Sequence, residues 1–301
     1  MLQTFDPRNA DIKINIDGEL HPREDAKISV FDSLVQGGDG CWEGLRVYQG
    51  RIFRLTQHLE RLRHSALAMG FAEIPEATKI REEIHRTLEA NGMHDDVHIR
   101  LTLSRGKKIT SGMDPRLNQF GPTLIVVAEY KTPVYSKRGL RMATSSLRRF
   151  SSDTLDPKIH HNNLLQSILA KIEANACGVD DALMLDQRGF VAETNATHVF
   201  LVDDGVVRTS RTVACPEGVT RSCVLSLTKQ HDIPCVVEDL SLAQFHRADE
   251  MFCTGTMGEL ASVVELDGRT IGSGDVGPVT ARLSALYAQL TREESEPILR
   301  N

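Results

Sequence analysis

Apolar positions along the chain recur with period two in some blocks and with the helical period in others. Ile12-Lys13-Ile14-Asn15-Ile16 and Lys27-Ile28-Ser29-Val30-Phe31 alternate on either side of Asp17-Gly18, and the spacing predicts a hairpin. After Gly37-Gly38-Asp39-Gly40, residues 41–48 and 51–54 read as extended, joined by a turn at Gln49-Gly50. Thr56 is placed to cap a helix reaching Met69, with Leu59, Leu62, Ala66 and Met69 on one face. Pro75 opens a second helix, closed by Asn91-Gly92. Strands follow at 97–103 and 123–128, and the polar loop between them, Ser104 to Pro122, is longer than a connection needs, which favours function over linkage.

In the second half, Leu164, Leu165, Ile168, Leu169 and Ile172 form a stripe that predicts a half-buried helix, ended by Gly178. Strands are expected at 182–185, 190–192, 197–202, 206–209, 233–237, 250–253 and 262–266, and helices at 219–230, 241–245 and 279–290. Mixed order with hairpins implies an α/β (α+β) chain with mixed or antiparallel sheets flanked by helices, and argues against one doubly wound sheet. The expected division is a smaller N-terminal domain at 1–130, a linker at 131–139 rich in charge with a proline and a glycine, and a larger C-terminal domain at 140–301.

Composition narrows the task. A chain of 301 residues has room for two cores. Its net charge of −6, with both signs intermixed, disfavours nucleic acid as a partner. No apolar run approaches a membrane span and the first residues do not read as a signal peptide, so the cytoplasm is expected. Cysteines 41, 177, 215, 223, 235 and 253 show no Cys-x-x-Cys and no histidine-rich partner pattern, so neither a disulfide framework nor a metal site is expected.

Candidate chemistry gathers between Asp156 and Asn195. Lys158 precedes the helix at 164, where a rigid element can hold it, and a desolvated lysine is the usual nucleophile for a carbonyl because burial frees its amine to form a Schiff base. Taken alone, it reads as a solvated surface residue, as most lysines near a helix start are. Glu193-Thr194-Asn195 ends a strand. Glu217-Gly218-Val219-Thr220-Arg221 puts glycine and threonine at a helix start, which suits an anion and is also an ordinary cap. Thr254-Gly255-Thr256 offers hydroxyls and N–H groups after a strand, and Arg54 a forked donor. His98 and Arg100 share one strand face, as pocket residues or as core and surface ones.

The lysine followed by asparagine and an apolar helix, then Gly189-Phe-Val-Ala-Glu-Thr-Asn-Ala-Thr-His-Val-Phe200, resembles the class IV, fold-type IV pyridoxal-phosphate aminotransferases. That family includes the branched-chain and D-amino-acid aminotransferases and aminodeoxychorismate lyase, and the resemblance runs from Phe31 to about Leu290. It implies pyridoxal 5'-phosphate as cofactor, carried by Lys158, with Glu193 facing the pyridine nitrogen and Arg54, Gly218, Val219, Thr220 and Thr256 at the phosphate. It further implies transfer of an amino group between an amino acid, a branched-chain L-amino acid first, and 2-oxoglutarate, in a homodimer or larger homo-oligomer. D-amino-acid transamination and the lyase reaction are the alternatives. The branched-chain members have a tyrosine where Asn163 stands, another where Gly37 stands, and a phenylalanine at Trp42. Met113 to Phe120 is similar to the D-amino-acid enzymes' carboxylate-gripping loop, with Arg116 at the arginine and Asn118 replacing the histidine. Arg46, Arg100 and Arg116, or the N–H groups of Gly255-Thr256-Met257, are the candidates for the substrate carboxylate.

Overall fold

A computed structural model describes residues 3–132, 135 and 138–298. Of the expected linker, residues 133, 134, 136 and 137 lie outside the described residues. The chain divides into two compact units, the first made of Gln3–Thr132, Ile159–Asn163 and the stretch from Thr291, the second of the segment that runs up to Lys158 and of Leu164–Leu290.

The first unit is built on β1 (Lys13–Ile16), β2 (Glu19–Pro22), the short helix α1 (Ser33–Gly37), β3 (Gly40–Tyr48), β4 (Arg51–Phe53), helices α2 (Leu55–Ala68) and α3 (Ala77–Ala90), β5 (Val97–Ser104) and β6 (Thr123–Tyr130). With the C-terminal strand Ser295–Pro297 they form a seven-stranded sheet in the order C-terminal strand, β4, β3, β5, β6, β1, β2, antiparallel throughout. Leu45, Val47, Ile99 and Leu101 of the central strands pack with Leu55, Leu59 and Leu62 of α2 and Ile80, Ile84 and Leu88 of α3 in one core.

The second unit contains β7 (Leu140–Arg148), α4 (Leu165–Ala176), β8 (Asp181–Leu185), β9 (Val191–Thr194), β10 (His198–Asp203), β11 (Val206–Ser210), α5 (Val219–Gln230), β12 (Cys235–Glu238), α6 (Leu242–His246), β13 (Glu250–Gly255), β14 (Glu259–Leu266), β15 (Arg269–Thr270) and α7 (Pro278–Glu293). Its nine-stranded sheet runs β12-β11-β10-β13-β14-β7-β8-β9, with β15 on β14. The β11–β12, β14–β7 and β7–β8 pairs are parallel and the rest antiparallel, the mixed sheet expected. Near-continuous burial along β8, β9 and β10 marks strands covered on both faces.

Four local expectations need correction. β1 pairs with Glu19–Pro22 instead of 27–31, because Asp17 and Gly18 both take positive φ and return the chain at once. The N-cap of α2 is Arg54, in the left-handed region at φ 51, while Thr56 sits inside the helix with its hydroxyl donating to Glu296. The second helix starts at Ala77, capped by Glu76, not at Pro75. Finally, the stripe on α4 does not face a core. Leu165, Ile168, Leu169 and Ile172 are 42 to 60 % exposed, whereas the opposite face lays Ala170 and Ala174 on Ala182 and Met184 of β8. Small residues let the helix lie close to its sheet, and the large ones are turned outward.

Candidate active site

β8 and β9 form an antiparallel pair in which Met184 lies opposite Glu193. Glu193 is 5 % exposed, and Arg149, which follows β7 and whose N–H donates to the Leu185 carbonyl at 2.8 Å, places its Nη2 2.5 Å from Glu193 Oε1. Nη1 of Arg149 donates to Ser167 Oγ at 3.2 Å, and its buried Nε has no hydrogen-bond partner among the described residues. His198 Nδ1 lies 4.0 Å from Glu193 Oε2. Cys215 completes the cluster, with ligand atoms of Glu193, His198 and Cys215 all within 4.8 Å of one another. Burial first, and then the Glu193 charge, push the Cys215 thiol up, while Arg221, Lys158 and Arg149 act the other way. The guanidinium of Arg149 is thus a cation set directly against this carboxylate.

An anion cradle adjoins the cluster. Helix α5 starts at Val219 with Gly218 as its N-cap, and no side chain caps it. Its first N–H groups and the dipole are therefore available to an anion. Glycine is required at 218 by space, since a Cβ there would lie 2.2 Å from His198 Cδ2. His198 thereby touches the cradle on one side and approaches Glu193 on the other. Thr220 is buried beside the cap. His198 is the register partner of Thr254 on β13, so their side chains share a sheet face. Thr254 Oγ1 is buried without a hydrogen-bond partner among the described residues, and Gly255, Thr256 and Met257 follow at the strand end and turn. An orphan hydroxyl, an uncapped helix start and a paired buried carboxylate fit a phosphorylated, nitrogen-containing aromatic cofactor.

Lys158 departs from the desolvated lysine expected. Its side chain is 41 % exposed, and Nζ donates to Glu217 Oε1 at 2.5 Å and to Thr212 Oγ1 at 2.9 Å. Glu217, in turn, has its proton affinity lowered by Lys158 and Thr212 against the raising effect of burial. The segment from 212 to 217, which enters α5, supplies both of these partners.

The remaining candidates lie in the first unit. Arg54 is ion-paired with Glu294, and its buried Nε has no hydrogen-bond partner among the described residues. Arg100 lies 3.4 Å over the Trp42 ring, donates to Asn162 Oδ1 at 3.1 Å, and is lowered by burial to about 10, with Glu43 opposing. No carboxylate is paired with it among the described residues, so it is the arginine that an incoming anion would best complement. Beside it, burial followed by Lys131 and Arg100 lowers His98 to about 3. Arg46 is buried but committed, donating to the Lys131 carbonyl at 3.1 Å. Arg116 is 88 % exposed and held by Asp114. Asn118 ties its loop down by donating to the Gly106 carbonyl at 2.6 Å and to Ser33 Oγ at 2.8 Å.

Sequence reasoning missed Arg149 entirely, counted Cys215 only among the scattered cysteines, and quoted His198 only inside a longer motif. Arg149 meets Glu193 through the β7-β8-β9 order, which leaves no spacing signal in the chain.

Comparison with known proteins now adds kinship. The amino-transferase class IV family matches residues 40–266. The branched-chain-amino-acid aminotransferase-like protein 2 of Arabidopsis thaliana is 53% identical over 97% of this chain, which spans 52% of that protein, so the chain covers about half the length of this plant relative. A putative branched-chain-amino-acid aminotransferase of Methanocaldococcus jannaschii is 38% identical over 93% of this chain and 96% of its own length. Among solved structures, a branched-chain amino acid aminotransferase complexed with N-(5'-phosphopyridoxyl)-L-glutamate superposes with a TM-score of 0.89 at 32% identity, covering 96% of this chain and 99% of that one. The branched-chain aminotransferase of the archaeon Thermoproteus uzoniensis with norvaline has the same TM-score of 0.89 at 27% identity, over 96% of this chain and 100% of its own. By both family match and full-length relatives, the chain belongs to the class IV amino-transferases.

Proposed function

We propose that this chain is a pyridoxal-phosphate-dependent aminotransferase acting on an amino acid, with a branched-chain L-amino acid as donor, and on 2-oxoglutarate. The observation that carries this reading is the second unit's buried cluster, where Glu193, held by Arg149, adjoins an uncapped helix start at Gly218 and an orphan hydroxyl on Thr254. Gly218, Val219, Thr220 and Thr256 would hold the phosphate, and Glu193 would face the ring nitrogen. The cofactor, when bound, supplies an electron sink for the bond to the substrate α-carbon. Lys158, once released from Glu217, would hold the cofactor and would take and return a proton at the substrate α-carbon. The Gly255 and Met257 backbone would take the substrate carboxylate, and Arg100 is the first unit's candidate for an acidic group. The relatives' names support the branched-chain donor, and cysteines that form no disulfide among the described residues suit a reducing cytoplasm.

We also read the active unit as a homodimer or larger homo-oligomer. The outward stripe of α4 supports self-association, as do Ile109, Met113 and Phe120, all exposed on the 104–122 loop.

The tie between Lys158 and Glu217 favours one second reading, a vitamin-B6-binding protein without turnover. Borohydride reduction with peptide mapping, run beside a panel of L- and D-amino acids with 2-oxoglutarate, separates the two. A label on Lys158 with turnover of aliphatic L-amino acids is expected. Cofactor bound with no labelled lysine and no turnover would establish the second reading, and turnover confined to D-amino acids the D-amino-acid alternative.

A further inference from the structure

Resting on the cofactor reading above, we propose that Arg149 tunes the electron sink by sharing the Glu193 carboxylate, so limiting how strongly that carboxylate holds a proton on the cofactor's ring nitrogen. Arg149 is in this sense a positioning residue that acts through Glu193.

The pairing is built into the fold. Arg149 is anchored at its backbone by Leu185, its carbonyl accepts from Gln187 Nε2 at 3.0 Å, and its side chain is braced by Ser167. These contacts deliver Nη2 to 2.5 Å from Glu193 Oε1, where the two side chains are 15 % and 7 % exposed. At such burial neither charge is screened by solvent, so each strongly alters what the other can bind. Cys215 reports both charges, its thiol being raised by Glu193 and lowered by Arg149 after the larger effect of burial.

A protonated ring nitrogen brought to Glu193 would be a further cation on one carboxylate. The guanidinium repels it, and the carboxylate's attraction is divided between them. A neutral residue of similar length at 149 removes that competitor. If Glu193 then takes up a proton before the cofactor binds, it can pass that proton to an arriving ring nitrogen. In both cases the pocket should favour a nitrogen over a carbon in the ring more strongly than the parent does. A residue that merely shaped the site would, on replacement, weaken both rings alike and leave their ratio unchanged.

The probes are pyridoxal phosphate and its analogue in which CH replaces the ring nitrogen, with dissociation constants measured for the parent, Arg149→Met and Arg149→Lys. The ratio of the two constants is the readout. Arg149→Met is expected to raise the preference for the nitrogen-containing ring about tenfold, the equivalent of one unit in proton affinity. The absorbance change that reports loss of the ring-nitrogen proton should move to higher pH in the same variant. Arg149→Lys, which keeps the charge, should stay near the parent. An unchanged or reduced preference in Arg149→Met, with the parent still binding both probes, would overturn the role of Arg149 and leave the cofactor reading standing. A parent that binds neither probe would overturn both.

Discussion

Glu43 in the first unit and Glu193 in the second are both buried carboxylates with an arginine and a histidine for company, and their surroundings differ in what lies beyond those partners. Glu43 is fully enclosed. Arg61 donates to both of its oxygens at 2.7 Å, His58 Nδ1 lies 2.7 Å from Oε2, and His160 Nδ1, 3.4 Å from Oε1, is stacked on Trp42 at 4.3 Å. Burial would raise this carboxyl, but Arg61 and then His160 hold it well below the ordinary range. The neighbours of Glu43 are thus protein groups that need it. Glu193 is met by Arg149, and beside it lie a thiol, an uncapped helix start and an orphan hydroxyl. Burial plus an ion pair therefore does not identify a site, and the adjoining anion cradle does.

Parallel substitutions break or sharpen that contrast. Glu193→Gln should lower the turnover rate on the order of a hundredfold to a thousandfold, the scale of losing an electrostatic stabiliser in a dry site, while cofactor stays bound through its phosphate. Steady-state rates together with cofactor content check this, and a variant as fast as the parent would remove Glu193 from the mechanism.

Glu43→Gln should cost about 3 kcal/mol of stability, because Arg61 and His58 are left in a buried setting without their anion. Urea denaturation reads that cost, and cofactor content should not change. The sign of the pH effect follows from the depressed carboxyl. Its contribution is present above the ordinary carboxylate range and is lost as pH falls toward the lower folded-state value. Below about pH 4.5 the parent should therefore lose stability faster than Glu43→Gln. Parallel slopes for the two proteins would mean that Glu43 is not held by charge.

The smallest effect tests how far the Glu43 region takes part in substrate binding. Arg100, which lies on Trp42 and feels Glu43, should raise KM for 2-oxoglutarate about tenfold when changed to Met, the worth of one charged hydrogen bond. Arg116→Ala should change it by less than about twofold, as expected for an exposed arginine paired with its neighbour Asp114. A larger effect at Arg116 than at Arg100 would move the carboxylate site to the 104–122 loop.

Local periodicity was enough to read most of the fold. Strands such as β10 and β13, and the helices α5 and α7, advertise themselves by unbroken apolar runs or helical spacing. The β1–β2 hairpin was half legible, because Glu19-Leu20-His21-Pro22 carries no alternation and its pairing is written in the backbone of the turn. Of the candidate site, Glu193, Gly218 and Thr254 lie in motifs whose chemistry can be named from residue types. Arg149 could not be read, since a contact made across three neighbouring strands has no period. Nor could the state of Lys158, because its partners Thr212 and Glu217 come from a separate loop. On α4 the apolar stripe was visible but not its direction, since a stripe facing another molecule has the same spacing as one facing a core.

That outward stripe carries a thermodynamic consequence. Four large side chains on a twelve-residue helix are kept in water while the chain is alone, and each would contribute on the order of 1 kcal/mol if covered by a second copy. Folding and self-association would then be linked by mass action, and the melting temperature would become a function of protein concentration. Dilution should lower it and Ile168→Asp should abolish that dependence. A melting temperature that stays constant over a hundredfold dilution would show that the chain keeps this face to itself.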